Sequence, residues 1–204
     1  GGCALGGRPI DLHLSALRQM GAVISEEGDT LRCAAPGGLH GAAVQLPYPS
    51  VGATENLLIA AAGTPAETKI TGAAAEPEIS DLLAYLRGCG ALIESQPDGA
   101  ILVQGREALT GCCCHAILPD RIEAATYLAA ASITLTAPEH LQGAGSIVTL
   151  PYPGFPTDLQ AIFMALAAAA EGYTAFTETV FPRRWAHVEE LRRLGADITV
   201  VGSH

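Results

Sequence analysis

Apolar residues recur along this chain at helical spacing in three related places. Leu14, Leu17 and Met20 precede Gly21-Ala22-Val23-Ile24. Leu82, Leu83 and Leu86 precede Gly90-Ala91-Leu92-Ile93, and Val188, Leu191 and Leu194 precede Gly195-Ala196-Asp197-Ile198. Steps of three and four put each set on one stripe of an amphipathic helix. The glycine after each stripe predicts a helix C-cap. The β-branched residues beyond it predict a strand, then a turn and a second strand.

A second helix type alternates with the first. It is small, apolar and capped, and it is predicted from Ser50 through Gly63, from Asp120 through Ala131 and from Thr157 through Gly172. Asp120 with Glu123, and Thr157 with Gln160, have the spacing of a capping box. Alanine-rich helices let neighbours approach closely, so these are expected to be inner helices surrounded by sheets. The pattern predicts an α/β fold of repeated helix-plus-sheet units, with each helix layer enclosed by small sheets.

The repeat is uneven. Gly21 to Gly90 is 69 residues and Ser50 to Asp120 is 70, but Gly90 to Gly195 is 105 and Asp120 to Thr157 only 37. The first falls short of two even periods, and the second of one, by about half a unit. Roughly 33–36 residues, one helix with its strands, are therefore missing between Asp120 and Thr157. Leu135 to Gln142 reads as the stub of that helix.

Composition narrows the partners. A net charge of −10 argues against a nucleic-acid or anionic-membrane partner. The longest apolar runs are about ten residues and too short to span a bilayer. No charged-then-apolar secretory segment opens the chain, so a cytoplasmic protein is expected. Six cysteines, at 3, 33, 89, 112, 113 and 114, lack the spread of a disulfide framework. Cys112-Cys113-Cys114-His115 invites a metal, but adjacent cysteines do not converge easily on one tetrahedral ion. Neither a metal nor a cofactor is expected.

The candidate chemistry begins at residue 1. Cys3 sits among four glycines, five residues before Arg8, and Asp11 and His13 follow. Glycines let backbone N–H groups turn toward an anion, and arginine offers a fork for phosphate. A thiol there is either a reactive group of lowered pKa or an idle cysteine. Pro9 and Asp11 also suit a helix N-terminus, which binds anions in its own right. Ser50 reads as an N-cap beside free backbone amides. Asp158 suits the first turn of a helix through the macrodipole. Asp120 reads as a cap, and Arg121 and Arg184 read equally as surface arginines.

Several strings together resemble the peptidoglycan enolpyruvyl transferase family, the UDP-N-acetylglucosamine 1-carboxyvinyltransferases. They are Gly1-Gly2-Cys3 through His13, Ser50 through Thr54, Glu76-Pro77-Glu78-Ile79, Leu118 through Glu123, Phe155-Pro156-Thr157-Asp158-Leu159-Gln160, and Thr177 through Phe181 with Arg184 and His187. The related transferase acting on shikimate phosphate shares the fold but lacks a similar cysteine loop. The resemblance implies an inside-out α/β barrel-like domain with part of a second similar domain. Residues 1–119, with the Cys3 loop, should form most of the first. Residues 120–204, with Asp158, should form an incomplete second.

The implied reaction adds the 3-hydroxyl of UDP-N-acetylglucosamine to phosphoenolpyruvate and then eliminates phosphate. By resemblance Cys3 delivers a proton or forms an adduct, and Asp158 serves as base for the 3-hydroxyl. Arg8, Pro9, Ile10, Asp11, Leu12 and His13 would contact the uridine and phosphates, with Ser50, Val51 and Gly52 near the diphosphate and Val180 near the sugar. Asp120, Arg121 and Arg184 would line the cleft or close it. Glu76 and Glu78 are explained at least as well by capping. The family's members are about twice as long, so the 204 residues alone are expected to be inactive, or to pair with the remainder of their own chain.

Overall fold

Two helix types alternate in the sequence. Of the three helices expected to be inner, the one after Ser50 is deeply buried, whereas the one after Asp120 exposes Tyr127 and Leu128. A computed structural model describes residues 9–28, 30–111, 114–135 and 140–201. Packing divides the chain after Leu118 into two units.

In the unit Pro9–Leu118, α1 (Asp11–Gln19) leads into a hairpin of β1 (Val23–Glu27) and β2 (Thr30–Ala34). Next come β3 (Ala43–Gln45), α2 (Val51–Ala62) and β4 (Glu67–Thr71), then α3 (Pro77–Gly88), β5 (Leu92–Ser95) and β6 (Ile101–Gln104). The larger sheet runs β3-β4-β6-β5, with β3 parallel to β4 and the other pairs antiparallel. A parallel pair needs a crossover, and α2 supplies it.

The core lies around α2. Ala53, Leu57, Leu58, Ala61 and Ala62 are at most 1% exposed, and they pack with Leu12, Ala16 and Met20 of the α1 segment and Ile79, Leu83 and Leu86 of α3. Small side chains on α2 make that approach possible, as expected for an inner helix. Ser50 caps α2 by accepting from the Ala53 amide. Glu76 stands at the N-cap of α3 without a side-chain cap bond, ahead of Pro77 at the first helical position.

The second unit contains α4 (Arg121–Leu135), β7 (Gly145–Val148), a 3-10 turn (Thr157–Leu159), α5 (Gln160–Ala168), β8 (Thr174–Thr177) and α6 (Ala186–Arg193). Here too a helix, α5, crosses between two parallel strands, β7 and β8. Asp120 caps α4 through the amides of Ile122 and Glu123. The expected capping box of Thr157 and Gln160 does not form. The Thr157 hydroxyl donates instead to Glu178, so the chain enters as a 3-10 turn and the α-helix spans only Gln160–Ala168. Of the stub predicted over Leu135 to Gln142, Leu135 ends α4, residues 136–139 lie outside those described, and residues 140–142 are not helical.

All three glycine stops are alike in the structure. Gly21, Gly90 and Gly195 have φ of 95°, 99° and 99°. Each carries paired bonds: Gly21 N to Arg18 O with Ala22 N to Leu17 O, Gly90 N to Arg87 O with Ala91 N to Leu86 O, and Gly195 N to Arg192 O with Ala196 N to Leu191 O. That is a Schellman motif repeated three times, which requires a residue at ease in the left-handed region. Two strands follow the first and second stops. After the third, residues 196–201 are not a strand, because no described strand lies beside them to complete the backbone bonds. Among the described residues no helix is long and apolar enough to cross a membrane.

Candidate functional site

Two groups of predicted residues can be built up, one in each unit. In the first, the opening turns of α1, α2 and α3 are neighbours. His13 on α1 meets Asn56 on α2, with Nδ1 and Nδ2 2.6 Å apart. Gly52 lies directly under the same ring, since a Cβ at Gly52 would stand 3.1 Å from His13 Cε1. The amides of Val51 and Gly52, in the first turn, have no acceptor within the helix. Glu55 and Glu78 flank this corner. Burial, the nearby Glu78 charge and a smaller opposing effect of His13 together raise the Glu55 pKa.

Of the expected uridine and phosphate contacts, Pro9, Ile10 and Asp11 are exposed at the start of α1. Leu12 is 8% exposed and belongs to the core, which leaves only its backbone for a ligand. Cys3 and Arg8 lie outside the described residues, as do Cys112 and Cys113 of the cysteine run.

In the second unit, Asp158 stands on the 3-10 turn that opens α5. Arg184 Nη1 donates to Asp158 Oδ1 at 2.7 Å and lies 3.4 Å from Thr157 Oγ1. The Arg184 side chain is 18% exposed and that of Asp158 58%, so the carboxylate faces outward while its partner is packed behind it. The guanidinium also lies 5.8 Å from the Phe181 ring centre. His187, at the start of α6, has its pKa lowered by burial and by the Arg184 charge. Arg121 lies against the Tyr152 ring, in the loop that leads to Thr157.

The residue behind this arrangement is Glu178, which the motif reading quoted but gave no role. It is 1% exposed, and its carboxylate accepts from Thr149, Thr157 and the amides of Val180 and Phe181. A signal was present. Alternation along β8 turns Thr174 and Phe176 inward, and Glu178 falls on the same phase. Asn56 was missed as well, because its tie to His13 joins positions 43 residues apart.

Comparison with known proteins gives the class. The chain belongs to the EPSP synthase (3-phosphoshikimate 1-carboxyvinyltransferase) family, whose sequence model matches residues 1–138 and 136–203. Among curated relatives it is similar to the UDP-N-acetylglucosamine 1-carboxyvinyltransferase of Gluconacetobacter diazotrophicus, 44% identical over 238 aligned residues covering all of this chain and 56% of the relative. The protein of that name from Gluconobacter oxydans is 42% identical, over 99% of this chain and 56% of its own. The chain thus spans a little over half the length of the curated relatives it matches.

Among solved structures, the enolpyruvyl transferase NikO from Streptomyces tendae superposes with a TM-score of 0.81 over 95% of this chain and 57% of its own, at 20% identity. That likeness concerns the fold alone. EPSP synthase from Acinetobacter baumannii gives 0.52 over 66% of this chain and 30% of its own, at 25% identity.

These alignments bear on the uneven repeat. An alignment of 238 positions against 204 residues leaves 34 positions of the Gluconacetobacter relative unmatched. The family match breaks at 136–138, just past α4, within the interval where the repeat arithmetic expects a missing helix and strands.

Proposed function

We propose that the protein represented by this chain transfers the enolpyruvyl group of phosphoenolpyruvate to the 3-hydroxyl of UDP-N-acetylglucosamine. This would be the first committed step of peptidoglycan synthesis, carried out in the cytoplasm. What carries the reading is likeness along the whole chain, at 42–44% identity, to proteins named for that transfer. Asp158 supports it as an outward-facing carboxylate whose Oδ1 is held by Arg184.

In the addition step the sugar 3-oxygen bonds to C2 of phosphoenolpyruvate. Its proton passes to Asp158, and C3 takes a proton from Cys3. In the elimination step C3 gives up a proton, the C2–O bond to phosphate breaks and the double bond returns. A general base must reach the hydroxyl at about 2.6–3.2 Å, and the arginine behind Asp158 restricts where that carboxylate can point. The first turns of α1 and α2, with His13, Gly52 and free amides, supply donors for a uridine diphosphate, and Arg8 adds positive charge. Asp120, Arg121 and Arg184 are assigned ion-pair or closure roles by the resemblance.

A second reading is favoured by the 34 unmatched positions. The 204 residues alone keep nucleotide-sugar contacts without turnover. Phosphate release from the two substrates separates the readings. It is measured on the 204-residue chain and on a chimaera that supplies the unmatched segments of the Gluconacetobacter relative. Release by the chimaera alone fits an enzyme of which this is a part. Release by neither overturns the transferase reading.

A further inference from the structure

We infer that Glu178 is a positioning residue for Asp158, fixing the turn that carries Asp158 and the backbone of Val180 in one relation. The inference rests on the transferase reading and deepens it.

The geometry is specific. Glu178 Oε1 accepts from Thr149 Oγ1, Val180 N and Phe181 N, each at 2.8 Å. Oε2 accepts from Thr157 Oγ1 at 2.8 Å. Thr157 immediately precedes Asp158, and its hydroxyl is buried with the carboxylate. Thr149 in turn accepts from the Thr179 amide at 2.9 Å, and the Thr179 hydroxyl donates back to the Thr149 carbonyl. Asp158 is thus held twice, by Arg184 at its side chain and by Glu178 through the adjoining residue.

The fold itself does not require this network, and the first unit shows why. The crossovers β3-α2-β4 and β7-α5-β8 close alike: the Leu46 amide donates to Thr71 O and the Thr149 amide donates to Thr177 O, both at 2.9 Å. Thr149 therefore corresponds to Leu46, and Glu178 corresponds to Gly72. Gly72 has φ +70°, and a Cβ there would come within 2.3 Å of Leu46 O. One crossover closes with leucine and glycine, while the other buries a carboxylate. Burying a carboxylate is costly unless donors surround it. The four donors offset that cost only where the chain also carries Asp158 and Val180.

A carboxylate accepts at both oxygens, whereas a carboxamide has one acceptor and brings its own donors. Glu178→Gln therefore keeps the shape and loses the acceptor for Thr157. In the chimaera, kcat should fall roughly tenfold to hundredfold, the scale of a misplaced reacting group. KM for UDP-N-acetylglucosamine should stay within about threefold, as expected when an interaction made only in the transition state is lost. Thr157→Val should do the same, and it carries the test if Glu178→Gln fails to fold. Unchanged kcat, or parallel losses in kcat, KM and Tm, overturns the inference. One readout is independent of turnover. Amide exchange at Val180 and Phe181 in the 204-residue chain should accelerate in Glu178→Ala, which removes the oxygen that both amides donate to. Unchanged exchange overturns the network even if the chimaera proves inactive, an outcome that itself counts against the transferase reading.

Discussion

Arg184 holds Asp158 by a single bond, from Nη1 to Oδ1 at 2.7 Å, which leaves Oδ2 as the oxygen free of that arginine. Asp158→Asn should therefore spare substrate binding and remove the base. In the chimaera kcat should drop by about 10²–10⁴-fold, the usual contribution of a general base. Calorimetry with UDP-N-acetylglucosamine should show affinity nearly unchanged. Equal losses in turnover and affinity would point to a structural carboxylate.

An epoxide mimicking phosphoenolpyruvate, fosfomycin, should alkylate one cysteine of the chimaera's portion of this chain, and that should be Cys3. Cys3 has four glycines and Arg8 near it in sequence, whereas Cys89, which also lies between glycines and near Arg87, is buried at 6% exposure. Peptide mass mapping reads the position. A label on Cys33, Cys89 or the Cys112–Cys114 run would sink the assignment, and Cys3→Ser should abolish both label and turnover.

Two groups should give the stability of the chain opposite pH slopes. Glu55 has a pKa raised above its ordinary 4.5, so folding binds a proton there. Its contribution is complete below that value and is lost as pH rises through the folded pKa. Glu55→Gln should raise stability at neutral pH. His187 has a pKa lowered below 6.5, so its contribution is present above that value and is lost as pH falls through the folded pKa. His187→Gln should flatten the mildly acidic limb. Denaturant melts across pH 4–8, compared by variant, test both signs.

The third repeated feature is an arginine three residues before each glycine stop, which reaches forward to a carbonyl. Arg18 donates to Ile24 O at 3.3 Å, Arg87 to Ile93 O at 3.0 Å and Arg192 to Ile198 O at 2.9 Å. Arg87→Met should cost about 1–3 kcal/mol, since a bond from a charged group to a partly buried carbonyl is lost. Arg18→Met should cost less, because its bond is longer and exposed. Chemical denaturation decides, and equal costs would refute the ranking.

Restoring the 34 unmatched positions after α4 should stabilise the second unit. Tyr127 and Leu128 on α4 are 67% and 68% exposed, although the helix is apolar nearly all round. An apolar groove between α4 and α5 lies between Ala129, Ala130, Ala161 and Ala165. The restored segment, one helix with its strands, has two surfaces to cover, the groove beside Thr126, Ala129 and Ala130 and the other side of α4, where Tyr127 and Leu128 stand. At about 2–4 °C per kcal/mol, calorimetry should register a rise of several degrees. A melting temperature that does not move would show that the extra residues pack elsewhere.

What the sequence determined by itself was local or periodic. The glycine stops, the Ser50 and Asp120 caps and the buried character of α2 each depend on residues within a turn or two of one another. The interruption of the repeat was legible because a period can be counted. Likeness of short strings made Asp158, Arg184 and Val180 candidate site residues but could not say what touches them. The tertiary structure decided that Thr157 turns to Glu178 instead of capping its helix, that Arg184 lies behind Asp158, and that His13 meets Asn56. It also left residues 196–201 without a strand partner among those described. In each case the deciding contact joins groups far apart in the chain, or depends on a neighbour that must be present. Helix caps obey short-range geometry, whereas a buried carboxylate takes whichever donors the folded backbone brings to it.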